Sequence, residues 1–265
     1  MMNSYSMTQL AASVSNAMGI EAPEFSAPGL PAVERLVNDR LGGKADRVLI
    51  YNPDCIGHWF WQKYTEKFLP VEKHTQIAVP VATVMPSVTP VCFGTMYTGA
   101  MPAVHGIRQY AKPVIKIDSL FDAAARAGKK VALVAVADSS MAKIFAERPI
   151  DYYILPYDGD VNDKTVELLQ EDKYDLIVAY NQEYDDMIHY TKPESPESMA
   201  AAEHHIAAFD RLAAAAESAW KNHKGLIVWA SDHGNHVDWD GHGNHGEYRE
   251  DDINVIHFYG AIAEE

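Results

Sequence analysis

Between His233 and His257 lie five of the chain's 12 histidines, interleaved with aspartates and glycines. The run reads Ser231-Asp232-His233-Gly234-Asn235-His236 and continues to His242-Gly243-Asn244-His245-Gly246. Neutral imidazole and carboxylate together make good ligands for zinc and similar divalent ions. Glycines beside such ligands let the backbone approach a site closely. A second pair, Asp185 and His189, is spaced four residues apart; on a helix both face the same way and could grip one ion. Asp54 sits where a short apolar run, Val48 to Tyr51, releases the chain. The segment Val88-Thr89-Pro90-Val91 offers a hydroxyl instead. If Val91 to Tyr97 is a short helix, Thr89 is its N-cap and Pro90 its first residue, and the hydroxyl stands at a positive helix end beside free backbone N–H groups. Such a helix end is a ready anion site, and the metal-ligating loops raise Thr89 above a purely structural cap.

The elements that must position these residues can be read from hydrophobic pattern. Apolar runs Val48 to Tyr51, Val131 to Val136, Tyr152 to Leu155, Leu176 to Ala179, Leu226 to Ala230 and Val255 to Tyr259 are candidate strands. Several lack alternation, as strands buried on both faces should. Helix candidates lie between them: Ser119 to Ala127, stopped at Gly128; Asn162 to Gln170, with Asn162 as a cap; and a long one from Pro196 to Asn222, capped by Ser195. On the last, Met199, Ala202, Ile206, Phe209, Ala213, Ala216 and Trp220 form one apolar stripe read as core, with His204 and His205 flanking it as surface residues. Strands alternating with helices imply an α/β three-layer sandwich, a mainly parallel central sheet with helices on both faces. Ligands bind such folds at the carboxyl ends of the strands, where Asp54, Asp185 and Asp232 all fall.

Composition narrows the possibilities. With 265 residues, 48% of them hydrophobic, one large core can be buried. We expect a single domain over residues 1–265, with 1–30 as an N-terminal extension. A formal charge of −15, from 37 acidic against 22 basic residues, repels polyanions and makes a nucleic acid polymer a poor partner. Two cysteines, Cys55 and Cys92, make no disulfide framework and fit a reducing compartment. No signal peptide and no membrane-spanning run is visible, so the expected location is cytoplasmic.

Taken in order, the segments around Asp54, Thr89, Asp185/His189, Asp232-His233-Gly234 and His245-Gly246 resemble the alkaline phosphatase superfamily, and within it the type I phosphodiesterase and nucleotide pyrophosphatase branch. Thr98-Gly99 and His105-Gly106-Ile107 belong to the same pattern. The resemblance spans residues from about 48 to 260. It implies one metal held by Asp185, His189 and His245, and another by Asp54, Asp232 and His233, with Thr89 as the nucleophile beside the second. The cofactors implied are two divalent ions about 4 Å apart, zinc by preference, with manganese or iron also compatible. His236 and His242 are rivals for the place of His245; Val237 and Trp239 beside His236 look like packing residues. The implied activity is hydrolysis of a small-molecule phosphate ester through a phosphothreonine intermediate, as a phosphodiesterase or pyrophosphatase. Phosphomonoesterase is the alternative, and a catalytically silent metal-binding relative is a third reading. One departure stands out: the branch carries an Asn shortly after the His-Gly-Ile run, where this chain has Arg108-Gln109-Tyr110. A monoesterase would need an added positive group, for which Arg108 and Lys112 are candidates.

Overall fold

The computed structural model describes residues 2–263. Ten strands follow in chain order: β1 Tyr5–Ser6, β2 Arg47–Pro53, β3 Ile77–Ala82, β4 Val131–Val136, β5 Asp151–Leu155, β6 Leu176–Asn181, β7 Gly225–Ala230, β8 His236–Val237, β9 Gly243–Asn244 and β10 Asn254–Ile262. Eight of them form the central sheet in the order β1-β3-β10-β7-β2-β6-β4-β5, while β8 and β9 make a separate hairpin. Only β10 runs against its neighbours; every other pairing in the large sheet is parallel. The α/β sandwich with helices on both faces is therefore the observed fold.

The lack of alternation in the strands has its expected cause. Val48 and Ile50 of β2 pack into one core and Leu49 and Tyr51 into the other; Val228 and Trp229 of β7 divide in the same way. One face is covered by helices Leu10–Ala17, Pro31–Leu41 and Thr89–Thr98, the other by Asp158–Glu171 and Pro196–Ala219. Residues 1–30, expected as an extension, supply the edge strand β1 and the helix Leu10–Ala17, with Met7, Leu10 and Val14 inside the core. No helix among the described residues is long and apolar enough to cross a membrane. Both cysteines are free and buried.

Local signals held at several points. Ser195 accepts from Ser198 N–H and caps the helix that opens with Pro196. Ser119 forms a capping box with Asp122, and Gly128 takes the left-handed conformation after that helix, at φ +74. Others did not. The helix expected from Asn162 begins four residues earlier, at Asp158. That carboxylate leaves its own helix to accept from the N–H groups of Gln182 and Glu183, satisfying the open end of the next helix. Strand β3 escaped notice because Pro80 interrupts it. Proline is tolerated there because β1 pairs only with Val81 and Ala82, which leaves the outer edge beside Pro80 open.

His205 is a correction of more consequence. It is not a surface residue: it is 1% exposed. Its Nε2 accepts from Tyr184 N–H at 3.1 Å and its Nδ1 meets the Tyr51 hydroxyl at 3.0 Å. Burial, and then the neighbouring His204, push its pKa down to about 3, so it packs as a neutral polar bridge between β2 and the helix that carries Asp185. His204, by contrast, faces solvent beside Glu183. We predict that His205→Ala costs about 2–4 kcal/mol in urea unfolding, from the cavity and two orphaned partners. His204→Ala should stay within about 0.5 kcal/mol. Equal effects would remove His205 from the framework of the fold.

Candidate active site and metal centre

Strands β7, β2 and β6 are adjacent in the sheet, so the loops that leave their carboxyl ends are neighbours. Those loops deliver Asp232 and His233, Asp54, and the helix Glu183–Tyr190. Side chains far apart in sequence therefore converge, and two groups of potential metal ligands form. Asp54, Asp232 and His233 make one, Asp185, His189 and His245 the other, the ligand atoms of each lying within 4.8 Å of one another. The first is sealed, its three side chains 1%, 0% and 0% exposed. The second opens to solvent through His189, 42% exposed. The His233 and His245 rings stack at 3.9 Å between centroids and join the two groups.

The imidazoles are held for coordination. His233 Nδ1 donates to Gly234 O at 3.1 Å, His189 Nδ1 to Gly243 O at 3.1 Å and His245 Nδ1 to Ser87 O at 2.9 Å. Each bond fixes the tautomer and turns the Nε2 lone pair inward. Inside, His233 Nε2 lies 3.4 Å from Asp54 Oδ1 and 3.2 Å from Asp232 Oδ2. His245 Nε2 and His189 Nε2 lie 3.3 and 3.5 Å from Asp185 Oδ1. The three buried oxygens Asp54 Oδ1, Asp185 Oδ1 and Asp232 Oδ2 lack a hydrogen-bond partner among the described residues. Inward lone pairs and orphaned carboxylate oxygens are what a cation requires, so the donor set fits divalent metal ions.

Electrostatics makes the same demand. Burial, then Asp232 and Asp185, push the Asp54 carboxyl well above its ordinary range. Burial raises Asp232 to about 7. Burial also drives His233 well down. Burial opposes ionisation of Asp185 too, but the His189 and His245 imidazoles close to its Oδ1 hold it well below the usual carboxylate range. Against burial, Asp185 in turn lifts His245 to about 8.

Thr89 stands at the rim, its hydroxyl 3.2 Å from His233 Nε2. It is the first residue of the helix Thr89–Thr98, with Val88 as the N-cap, one place later than its expected role as the cap. The free N–H groups expected there are largely spent: Pro90 has none, and those of Val91 and Cys92 both donate to Val88 O. What remains at that end is the Thr89 N–H and the helix dipole. His105 steadies this helix from behind, its Nε2 at 3.0 Å from the Thr95 hydroxyl.

The rivals of His245 lie elsewhere. His236 is buried and bonded through Nδ1 to Asp252 at 2.7 Å, which ties the loop before β10. Its neighbours Val237 and Trp239 do not pack: they are 48% and 93% exposed. His242 sits half-exposed beside Asp240, outside both groups. Two glycines have steric reasons. A Cβ on Gly234 would meet Asp251 O at 1.9 Å, and one on Gly243 would meet Ile188 O at 2.6 Å. No motif marked Tyr180, whose hydroxyl donates to Asp54 Oδ2 at 2.5 Å; of the two candidate cations Lys112 lines the cavity in front of Thr89, with Tyr110, and Arg108 does not. Tyr180 is the last residue but one of β6, and only its place near the strand's carboxyl end hinted that its side chain reaches the site.

Comparison with known proteins places this geometry. The sequence profile of the type I phosphodiesterase / nucleotide pyrophosphatase family matches residues 71–238; the span holds Thr89, Asp185, His189, Asp232 and His233. Comparison with curated protein sequences finds no match. Among solved structures, phosphonoacetate hydrolase from Sinorhizobium meliloti 1021, in complex with phosphonoformate, superposes with a TM-score of 0.54 at 18% identity, over 76% of this chain and 60% of that one. Murine ectonucleotide pyrophosphatase/phosphodiesterase 5 gives 0.56 at 20%, over 72% and 58%. The zinc complex of the C-terminal periplasmic domain of EptC from Escherichia coli gives 0.55 at 17%, over 85% and 75%. The chain thus spans about three fifths of the first two structures, and at such identity the likeness is one of fold. With a profile match over more than half its length on an alkaline phosphatase-like fold, the chain belongs to the type I phosphodiesterase/nucleotide pyrophosphatase family of the alkaline phosphatase superfamily.

Proposed function

We propose that this chain hydrolyses phosphate esters of small molecules with two divalent ions, zinc first among them, through a phosphothreonine intermediate on Thr89. The observation that carries the reading is the convergence of two three-ligand groups, their histidine Nε2 atoms turned inward, on a threonine hydroxyl 3.2 Å from one of them. Asp185, His189 and His245 would hold one ion; Asp54, Asp232 and His233 would hold the other. Bound there, the ions would lower the pKa of the hydroxyl and of water and offset charge on the phosphoryl oxygens. Thr89 Oγ gives up its proton and attacks phosphorus; the P–O bond to the leaving group breaks as the new one forms. Water then cleaves the phosphothreonine, freeing a phosphate monoester from a diester substrate, or phosphate from a monoester, and restoring the hydroxyl. The solvent-facing side at His189 is the natural entry for that water. A threonine nucleophile also agrees with a relative: the variant of murine ectonucleotide pyrophosphatase/phosphodiesterase 5 solved with AMP carries alanine for a threonine and is inactive.

Three outcomes follow. Thr89→Ala should lower kcat on an aryl phosphate by roughly 10³-fold or more, the scale for loss of a covalent nucleophile, with metal content unchanged by mass spectrometry; near-normal turnover would remove the covalent step. His245→Ala should empty the open group when titrated with metal, while His242→Ala should bind as the parent does; the reverse pattern would reassign the ligand. Metal should also raise the melting temperature, by the equivalent of about 2.7 kcal/mol at a hundredfold excess over Kd, and more at pH 8 than at pH 6. The sign is set by Asp232 at about 7 and His245 at about 8. Both are raised, so in the metal-free protein their protons stabilise the fold at pH 6 and that contribution is lost as pH rises through those values. Metal must displace the protons at pH 6 and finds fewer of them at pH 8. An equal or larger gain at pH 6 would count against these ligands.

A further inference from the structure

In front of Thr89 lies a cavity of about 190 Å³. Asp54, Thr89 and Asp185 form one side; Tyr110, Lys112 and Ser139 contribute to the rest. Lys112 is the one cationic side chain lining it, among four aspartates. Its ammonium donates to the backbone carbonyl of Asp138 at 2.9 Å and forms no salt bridge with any described residue. An ammonium has three donors, so Lys112 keeps donors for something in the cavity. The Nζ also lies over the Tyr110 ring, 5.5 Å from its centroid, which limits where the flexible side chain can go. Arg108, the other cation considered from the sequence, points away and bonds Ala103 O.

Size and charge select between ester classes. Specific sites for drug-sized ligands run to about 300–1,000 Å³; this smaller cavity, open on one side, holds a phosphoryl group with the leaving group extending from it. A diester would bring a second, uncharged substituent to the part of the cavity that Lys112 lines. A monoester dianion would bring a charged oxygen there, able to accept a charge-assisted hydrogen bond from an ammonium. We propose that Lys112, braced by Tyr110 and the Asp138 carbonyl, is a specificity-determining residue that binds a non-bridging oxygen of the substrate, making this site one for small phosphate monoesters. The proposal rests on the phosphoester-hydrolase reading above and narrows its substrate.

The test compares 4-nitrophenyl phosphate with methyl 4-nitrophenyl phosphate, which share a leaving group and differ by one methyl on a phosphoryl oxygen. The metal-loaded parent, Lys112→Gln and Lys112→Arg proteins are assayed on both. The parent should prefer the monoester in kcat/KM. Lys112→Gln should cut the monoester-to-diester ratio about tenfold or more, and Lys112→Arg should keep most of it. A ratio unchanged within about twofold in Lys112→Gln, or a parent that prefers the diester, would overturn the proposal while leaving hydrolysis intact. A parent without metal-dependent turnover of either ester would refute the hydrolase reading instead. Calorimetry of inorganic phosphate binding to metal-loaded Thr89→Ala, with and without Lys112→Gln, then decides on Lys112 without turnover: at least tenfold weaker binding supports it, and equal binding overturns it.

Discussion

Three carboxylates, Asp54, Asp185 and Asp232, meet where neighbouring strands end, and bringing such charges together out of water is costly. Much of the surrounding structure answers that cost. Tyr180 donates to Asp54, Cys55 N–H donates to Asp232 at 3.2 Å, and His245 and His189 crowd Asp185. None of these quenches the last oxygen on each carboxylate. Divalent cations would, and their charge would set the protonation of every group nearby.

Backbone carbonyls orient the imidazoles of the candidate metal groups. Gly234, Gly243 and Ser87 each accept from an imidazole Nδ1, and the two glycines stand where any side chain would strike a neighbouring main chain. The loops can approach so closely because the strands beneath them are rigid: β2, β6 and β7 are buried on both faces between two cores. A neutral, buried His205 ties β2 to the helix bearing Asp185 and His189. A site built on such supports keeps its geometry without the ligand having to organise it.

Against this fixed side stands a more open wall formed by the segment around Tyr110 and Lys112 and the loop after β4. The first side carries the candidate metal ligands and Thr89; the second carries Tyr110, Lys112 and Ser139. The departure from the family pattern at Arg108-Gln109-Tyr110 falls on the second side.

How much was legible in the chain depended on sequence distance. Elements set by local pattern could be read directly: apolar runs as strands, the stripe from Ala202 to Trp220 as core, Ser195 and Ser119 as caps. Asp185 and His189, one helical turn apart, could be paired from spacing alone, and the ordered motifs pointed to the family. Pro80 hid a strand because its tolerance depends on which partner lies alongside. His205 looked like a surface residue because its partners, Tyr51 and Tyr184, come from other elements. Asp54 and Asp232 lie 178 positions apart, and their contact follows from the parallel pairing of β2 with β7. Lys112 and Arg108 were equal candidates, since an irregular loop has no period to say which side chain faces inward. Local preferences act over a turn or a strand, so the sequence by itself determined the elements and the ligand types; strand order and loop path act over the whole chain, and only the tertiary structure decided which side chains share a cavity.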